Sequence, residues 1–283
     1  MTIENVSDTA RWVAVYRAME SERPDAIFRD PFARKLAGAK GEKIVATMKR
    51  GRSMAWPMIV RTAVFDEVIA ARVAAGADVV VNLAAGLDAR PWRMKLPSSL
   101  RWIDVDLPGI LNYKTEMMRD VAPHCQYEAV TLDLTDATAR AALFARIGAE
   151  SKNALVVSEG LLIYLPSTEV TGLAEALAAA PTFKFWLTDL ASSRLLKMMN
   201  RMWGKSVAAA SAPFLFGPES GTAFFELSGW REKEWHSMGD DAKRLNRQMR
   251  LAWLWRALSV FAGTKNKEMW RRFSGAALLE RAR

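Results

Sequence analysis

The first 76 residues of the chain show hydrophobic positions at helical spacing. The apolar residues of the first helix recur three and four positions apart: Trp12, Val15, Tyr16 and Met19. Asp8 stands where it can cap this helix, and Asp30 with Pro31 is a second N-cap and first-turn signal. A third apolar stripe runs from about 57 to 75 and ends at Gly76. We therefore expect an N-terminal helical cap and a lead-in helix over residues 1–76.

From residue 77 onward, short apolar runs alternate with helical stretches. Each run is four to six residues long, which is typical of strands buried on both faces of a parallel sheet. The runs lie at 79–83, 101–105, 127–131, 155–158, 183–188 and 275–280. Strands that alternate with helices indicate βαβ units joined by right-handed crossovers. The pattern predicts one α/β domain over residues 1–283, with a doubly wound sheet, a C-terminal helix and a final strand after the helical cap.

The formal net charge of +9 is concentrated near the C-terminus. Residues 241–283 contain eleven Lys and Arg against three Asp and Glu, together with several Trp. Basic residues interleaved with aromatic ones can bind nucleic acid. The apolar residues of this segment nevertheless recur at helical spacing, which favours an amphipathic helix with a solvated basic face: Leu251, Leu254, Trp255, Leu258 and Phe261.

Composition excludes several other classes of protein. The chain is 51% hydrophobic and 25% charged, as in ordinary globular proteins. It has no run of about 18 apolar residues that could span a membrane, and no secretory signal, so we expect a cytoplasmic protein. One cysteine, Cys125, and two histidines, His124 and His236, are too few for a Cys/His zinc site, so we expect no metal.

A turn of small residues follows the first predicted strand: Ala84-Ala85-Gly86-Leu87-Asp88-Ala89-Arg90. In an open α/β sheet, ligands bind at the carboxyl ends of the strands near the point where the strand order reverses. Small residues there let a ligand approach the backbone closely and expose amide groups. Turns of this kind also serve plain helix packing, so the turn alone does not separate binding from packing.

Acidic residues end the next three predicted strands. The second strand ends with Asp104 and Asp106, which share one face of the strand, so the pattern leaves the choice between them open. An acid about twenty residues after Gly86 suits hydrogen bonds from the two hydroxyls of a ribose. Asp133 and Glu159 follow the third and fourth strands. Strand ends meet water and tolerate acids, but three such ends around a small-residue turn favour a nucleoside-containing cofactor.

Several motifs along the chain carry a more specific resemblance. They are Thr9-Ala10 with Arg17-Ala18-Met19-Glu20, Asp30-Pro31-Phe32-Ala33, Arg61-Thr62, residues 82–90, Asp104-Val105-Asp106-Leu107-Pro108, residues 158–166 and residues 274–281. Together they resemble the leucine carboxyl methyltransferase family, in particular its bacterial branch of S-adenosylmethionine-dependent methyltransferases. The resemblance implies a class I methyltransferase fold, a Rossmann-like sheet, with S-adenosylmethionine as the cofactor.

The resemblance also implies roles for residues on the methionine side of the cofactor. Arg61 would pair with the cofactor's carboxylate, and the turn from Ala84 to Gly86 would lie under its methionine part. Glu159 would sit beside the methionine moiety, close to the site of transfer. The family often has Gly where this chain has Ala84, and the added methyl weakens that motif without abolishing it.

On the nucleoside side, the resemblance implies that Asp106 holds the ribose hydroxyls. Asp133 and the backbone of Leu134 would then read the adenine. Apart from the resemblance, two positions have a purely structural explanation. Arg61 could be a surface residue of its helix, and Glu159 could be a carboxylate that accepts hydrogen bonds from neighbouring amides.

The implied activity is O-methylation of a small molecule or of a protein C-terminus. A carboxylate acceptor is ionised at neutral pH and needs no general base, whereas a hydroxyl acceptor does. Neither histidine lies in a motif that marks a base, which favours a carboxylate, and we assign no catalytic acid or base. Tyr164, Tyr16 and Arg17 are candidate substrate-facing residues, and the aromatic segment 214–235 is a candidate wall of the acceptor pocket.

Two other functions remain open from the sequence. The first is a nucleic-acid-binding or RNA-modifying protein on the same fold, with the basic C-terminal segment as its contact surface. The second is a nicotinamide-dependent oxidoreductase, because an acid that binds ribose after the second strand is shared by both cofactor classes. The complete Gly-x-Gly-x-x-Gly pattern is missing, since Asp88 and Ala89 stand where that pattern continues towards its last glycine.

Overall fold

The computed structural model describes residues 7–47, 55–208, 213–248 and 264–282. The strands are β1 (Val79–Leu83), β2 (Arg101–Asp106), β3 (Gln126–Thr131), β4 (Ala154–Ser158), β5 (Phe183–Ala191), β6 (Trp230–Ser237) and β7 (Ser274–Arg281). The α-helices are α1 (Ser7–Ser21), α2 (Ala33–Thr47), α3 (Trp56–Ala74), α4 (Arg90–Arg93), α5 (Pro108–Met118), α6 (Ala137–Glu150), α7 (Ser167–Ala178), α8 (Ser193–Ala208), α9 (Met238–Arg244) and α10 (Thr264–Arg271). Short 3-10 helices lie at Leu162–Tyr164 and Gly221–Ser228.

The seven strands form one sheet in the order β3-β2-β1-β4-β5-β7-β6. The pairings among β1 to β5 are parallel, while β7 is antiparallel to both β5 and β6. The chain therefore crosses to the other half of the sheet after β3, and the strand order reverses between the neighbouring strands β1 and β4. That switch point opens a crevice beyond the carboxyl ends of the strands, where ligands bind in such folds.

Alternate residues of the central strands pack into two separate cores. On one face Val81 and Val156 belong to a core that also contains residues of α6 and α7. On the other face Val80 and Leu155 pack with α3. All five residues of β1 are buried, which explains why four of them are apolar, and the one polar residue, Asn82, donates hydrogen bonds to Asp88 and Asp104. Helices on both faces confirm the predicted doubly wound α/β fold.

The helices before the sheet confirm the predicted helical cap, and the first two of them begin near the predicted capping acids Asp8 and Asp30. Helix α1 begins at Ser7, so Asp8 lies in its first turn instead of capping it, and its carboxylate pairs with Lys40 at 2.9 Å. Helix α2 begins at Ala33, three residues after Asp30. Asp30 is buried because Arg17 binds its carboxylate at 2.8 Å, and the contact joins α1 to the turn before α2.

Strand β6 is absent from the sequence prediction, which placed its residues in an aromatic pocket wall. The strand contains the alternating charges Arg231, Glu232, Lys233 and Glu234. It lies at the edge of the sheet, where polar side chains meet water and protect the free edge. Such a strand lacks the apolar run by which the interior strands were found.

Two further predictions concern the C-terminal part of the chain. The final strand is confirmed as β7. The amphipathic helix predicted around 251–261 lies outside the described residues, as does most of the basic segment proposed to contact nucleic acid.

Within the described ranges no helix combines the length and apolar character needed to cross a membrane. The same ranges contain no group of three His, Cys, Asp or Glu side chains suited to a metal ion.

Candidate functional site

A cavity of about 1500 Å³ lies beyond the carboxyl ends of the strands and beneath α1. The loops after β1, β2, β3 and β4 line this cavity, as expected for a site at the switch point. Every residue predicted to touch a cofactor lines it: Arg61, Ala84, Gly86, Asp106, Asp133, Leu134 and Glu159. The candidate substrate-facing residues Tyr16, Arg17 and Tyr164 line it as well.

The turn after β1 is held in a left-handed conformation. Ala84 has φ of 51° and Gly86 has φ of 50°. A Cβ on Gly86 would lie only 3.1 Å from the Cβ of Ala10 in α1. Glycine is therefore favoured at position 86, because it adopts a positive φ without strain and leaves room for Ala10. The Gly86 amide donates to Oδ2 of Asp106 at 2.6 Å, which ties the turn to the end of β2. At Ala84 the chain accepts a conformation that costs a residue with a Cβ about 1 to 2 kcal/mol.

The two acids of β2 have different surroundings. Asp104 is fully buried, pairs with the equally buried Lys114 at 2.7 Å and accepts hydrogen bonds from Asn82 and Trp102. Asp106 lines the cavity, and its carboxylate accepts from the amides of Gly86 and Leu107. Burial raises the pKa of Asp106 above its ordinary value, against the effect of these amides. Asp104 is thus a structural ion-pair partner, and Asp106 is the acid that a ligand can reach.

The acid after β3 lies at the open side of the cavity. Asp133 is exposed, and its carboxylate accepts from the amide and the hydroxyl of Thr135 at 2.9 and 2.7 Å. These hydrogen bonds lower the pKa of Asp133. Leu134 is partly buried against the sheet core, and its carbonyl accepts from Arg140 at 2.6 Å. The turn is therefore held in shape before any ligand arrives.

Arg61 of α3 lies between two carboxylates at strand ends. Its Nε donates to Oε1 of Glu159 and its Nη1 to Oδ2 of Asp189, both at 3.0 Å. The amide of Gly160 donates to the other oxygen of Asp189 at 2.6 Å. Burial opposes the charge of Arg61, but the two carboxylates outweigh it and raise its pKa. Arg61 is therefore a buried cation engaged by the protein itself, which excludes the plain surface-arginine alternative.

Arg90 makes a second junction next to the first. It is 2% exposed, and its guanidinium binds Asp66 at 2.7 Å, Asp88 at 2.7 Å and Glu159 at 2.8 Å. Burial disfavours the charged form of Glu159, but the charges of Arg90 and Arg61 outweigh it and lower the pKa of that carboxyl.

The ion cluster extends through Asp30 to Arg17 and contains four guanidinium groups and five carboxylates. Its members are Arg17, Arg61, Arg90, Arg93, Asp30, Asp66, Asp88, Glu159 and Asp189. With every member ionised, the cluster carries a formal excess of one negative charge. A ligand with net positive charge at this edge of the cavity would balance that excess.

Three members of this cluster that line the cavity were not selected from the sequence as site residues: Asp88, Arg90 and Asp189. The prediction for the fifth strand stopped at residue 188, whereas β5 continues to Ala191. Asp189 directly follows the predicted run 183–188, as Glu159 follows the run 155–158, so the same strand-end rule applied to the fifth strand would have found it. Arg90 was read as part of the turn motif, and only the fold shows that it reaches the end of β4.

The candidate substrate-facing residues differ in their contacts with other residues. Arg17 binds Asp30 and also donates to the carbonyl of Leu87 at 2.5 Å, so it connects the cap to the loop after β1. Burial raises the pKa of Tyr16 to about 12 and raises that of Tyr164. The Tyr164 ring lies 5.7 Å from that of Phe214.

The predicted aromatic wall divides into two parts. Phe214 and Phe216 line the cavity. Phe225 and Trp230 instead pack around Trp186 in the sheet core, with ring centroids 5.2 and 5.7 Å away. Only the first part of the segment 214–235 can therefore meet an acceptor.

Histidine and cysteine take no part in the described lining of the cavity. His124 is exposed at the surface. Cys125 is buried, and burial raises the pKa of its thiol to about 11, which leaves little reactive thiolate at neutral pH.

The family model for leucine carboxyl methyltransferase matches residues 10–178. This match includes α1, the turn after β1 and the strand ends that carry Asp106, Asp133 and Glu159. The chain belongs to the leucine carboxyl methyltransferase family. The family match ends at the last residue of α7, so β5 with Asp189 and the later helix α8 lie beyond it.

Two curated relatives show how similar this family member is to named proteins. A protein of Streptomyces coelicolor named "Putative S-adenosyl-L-methionine-dependent methyltransferase" is 37% identical over 57% of this chain and 60% of its own length. A protein of Frankia alni with the same descriptive name is 30% identical over 79% of this chain and 82% of its own length. The chain thus spans less than two thirds of the first of these relatives.

Solved structures resemble this family member in fold. A DUF574 family protein from Streptomyces avermitilis aligns over 95% of this chain and 96% of its own, with a TM-score of 0.58 and 12% identity. Magnesium protoporphyrin IX methyltransferase from Synechocystis PCC 6803, with bound SAH, aligns over 89% of this chain and 99% of its own, with a TM-score of 0.51 and 12% identity. Both support the predicted class I methyltransferase fold.

Proposed function

We propose that the protein is an S-adenosylmethionine-dependent O-methyltransferase that methylates a carboxylate. The observation that carries the proposal is the convergence of the predicted cofactor residues on one cavity at the switch point of the sheet. Family membership and the names of the relatives support the same activity.

The residues around the switch point fit this cofactor in charge and shape. S-adenosylmethionine carries a methyl group on a sulfonium, and with its ammonium and carboxylate it has a net positive charge. The negative excess of the ion cluster around Glu159 suits such a ligand. Ala84 and Gly86 would lie under the methionine part, where the left-handed turn brings backbone close to the cavity.

The remaining assignments follow the position of each acid. Asp106 would accept hydrogen bonds from the ribose hydroxyls, because each oxygen of a carboxylate can accept more than one donor. Asp133 and the backbone of Leu134 would bind the adenine at the edge of the cavity. Arg61 would pair with the methionine carboxylate while Glu159 and Asp189 hold its guanidinium in place.

A carboxylate acceptor fits the groups available for proton transfer. Among the described residues that line the cavity there is no histidine, and the raised pKa of Tyr16 and of Tyr164 makes either phenol a poor base at neutral pH. Glu159 and Asp189 are engaged by Arg61. A carboxylate is already ionised, so the protein needs only to hold it in line with the methyl group, and such alignment can supply about 7 to 11 kcal/mol of the barrier.

Calorimetric titration tests the cofactor assignment. We expect saturable micromolar binding of S-adenosylhomocysteine and none of NADH. Binding of NADH alone would support the nicotinamide alternative, and binding of neither would overturn the assignment of the site.

The chemical stability of the product tests the acceptor group. Transfer of a labelled methyl group to a carboxylate yields an ester, which alkali hydrolyses to volatile labelled methanol. A methyl ether made from a hydroxyl is stable to the same treatment. Label that stays in the alkali-treated product would therefore contradict carboxylate methylation while leaving methyl transfer intact.

A further inference from the structure

The cavity is larger than one cofactor requires. Ligand pockets usually measure about 300 to 1000 Å³, whereas this cavity measures about 1500 Å³. The predicted cofactor residues all lie on α3, at the end of β2 or on the loops after β1, β3 and β4. Another part of the same cavity, a compartment lined by α8 and by the segment 213–217, contains none of these residues.

The lining of this compartment is apolar and rich in methionine. We call it the methionine wall, and it consists of Leu195, Met198, Met199, Met202, Phe214 and Phe216. Three of its members are unbranched thioether side chains, which adapt to flexible apolar partners. On α8 the charged residues Arg194, Lys197 and Arg201 are exposed and do not line the cavity. The helix therefore turns its apolar face towards the cavity.

Direct contacts join the methionine wall to the segment that follows Glu159. The ring of Tyr164 lies 5.7 Å from that of Phe214. The amide of Phe216 donates to the carbonyl of Ile163 at 3.2 Å, and Nδ2 of Asn200 in α8 donates to the carbonyl of Phe214 at 3.0 Å. The wall thus begins beside the proposed transfer site and continues outward along α8.

The outer end of the wall reaches solvent. Met198 is 43% exposed and Met202 is 50% exposed, although both line the cavity. Trp270 of α10, 55% exposed, lines the same mouth. Exposed apolar groups that cluster at a cavity are typical of binding sites for apolar ligands.

Basic side chains lie at the same mouth. Lys243 of α9 and Lys267 of α10 line the cavity and are exposed. Neither forms a salt bridge with another residue of the described ranges. Positive charge beside an opening raises the local concentration of anions and speeds their association.

We propose that the acceptor is a carboxylic acid with a long flexible apolar chain, which lies along the methionine wall with its carboxylate beside Tyr164. This inference rests on the proposed function and specifies the substrate of that site. The Met and Phe side chains bind the chain, and the lysines at the mouth attract the acid. A short or polar acid would leave the methionine wall exposed to water.

A chain-length series tests the proposal on the protein saturated with S-adenosylhomocysteine. Calorimetry would compare butanoate, octanoate and dodecanoate, each below its critical micelle concentration. One buried methylene contributes about fourfold in affinity, from 0.8 kcal/mol per CH₂. We expect dodecanoate to bind at least about tenfold more tightly than octanoate, with partial burial of the added chain. Equal binding of all three acids, or of none, would overturn the proposal.

A matched pair of variants tests the place of binding. The double variant Met198→Gln with Met202→Gln should weaken dodecanoate binding by at least about tenfold and leave binding of S-adenosylhomocysteine unchanged. The control is Leu227→Gln, because Leu227 is 100% exposed and does not line the cavity. Equal dodecanoate affinity in both variants would overturn the methionine wall as the binding surface. Failure of S-adenosylhomocysteine to bind the wild type would instead refute the proposed function.

Discussion

The guanidinium of Arg90 donates from Nη2 to Oε2 of Glu159 at 2.8 Å, and this contact joins the loop after β1 to the end of β4. The two strands are neighbours at the switch point of the sheet. Arg90 also binds Asp66 of α3, so one buried cation connects three elements around the cavity. Glu159 is thereby held in position before a ligand binds, which reduces the ordering cost of binding.

Removal of the charge of Glu159 should weaken cofactor binding. In Glu159→Gln we expect the affinity for S-adenosylmethionine to fall more than about tenfold, since charge-assisted hydrogen bonds contribute about 1.5 to 3 kcal/mol. Binding of S-adenosylhomocysteine, which lacks the sulfonium charge, should fall less. Calorimetry on both ligands measures the difference. The control is Glu280→Gln, because Glu280 pairs with Arg231 and Lys233 away from the cavity. Wild-type affinity in Glu159→Gln would count against the site.

Substitution of the two acids of β2 should affect two different properties, cofactor binding for Asp106 and the stability of the fold for Asp104. Asp106→Ala should weaken cofactor binding more than about tenfold, because the hydrogen bonds to the ribose are lost. Asp104→Asn should lower the free energy of unfolding by about 3 to 5 kcal/mol, because the buried ammonium of Lys114 loses its counter-charge. Calorimetry and urea denaturation separate the two effects. Loss of stability in the first variant with intact binding would reverse the assignment.

Glycine at position 84 should stabilise the protein. Ala84 has φ of 51°, a strain that Ala84→Gly removes. Part of the gain is offset because glycine raises the entropy of the unfolded chain. We expect a net increase of about 0.5 to 1 kcal/mol in the free energy of unfolding, measured by urea denaturation. Ala85→Gly is the matched control, since Ala85 does not have positive φ, and it should destabilise the protein. A destabilised Ala84→Gly would show that the methyl packs favourably.

Acid should destabilise the fold through Asp88. Burial disfavours its charge, but Arg90 and Arg93 outweigh burial and lower the pKa of Asp88 to about 2. A carboxyl whose pKa is lower in the folded state stabilises the protein above its unfolded pKa of about 3.9. That stabilisation is lost as the pH falls from about 4 to about 2. Urea midpoints over this range should decline less steeply in Asp88→Asn than in the wild type.

Asp106 serves as a control, because it should change the stability of the fold with pH in the opposite direction to Asp88. Burial raises its pKa in the folded state, so its ionisation destabilises the fold as the pH rises. Asp106→Asn should therefore make the loss of stability on acidification steeper. Parallel profiles for the wild type and both variants would contradict the electrostatic account of the cavity.

The strand ends could be located from the sequence because interior parallel strands are buried on both faces. Short, mainly apolar runs such as residues 79–83 identified β1 to β5 and β7, and an acid after a run marked the carboxyl edge of the sheet. The same rule missed β6, which lies at the edge of the sheet and carries charges. Asp189 follows the fifth run as Glu159 follows the fourth, but only the acids after the second to fourth runs were selected.

The sequence by itself determined the doubly wound fold, the family and the set of acids at the strand ends, because each depends on local periodicity and on motifs of neighbouring residues. Only the tertiary structure decided that Asp104 binds Lys114 while Asp106 faces the cavity, and that Arg90 reaches Glu159 across 69 positions of the chain. Burial and ion pairing depend on which elements pack together in space. Spacing along one strand does not contain that information.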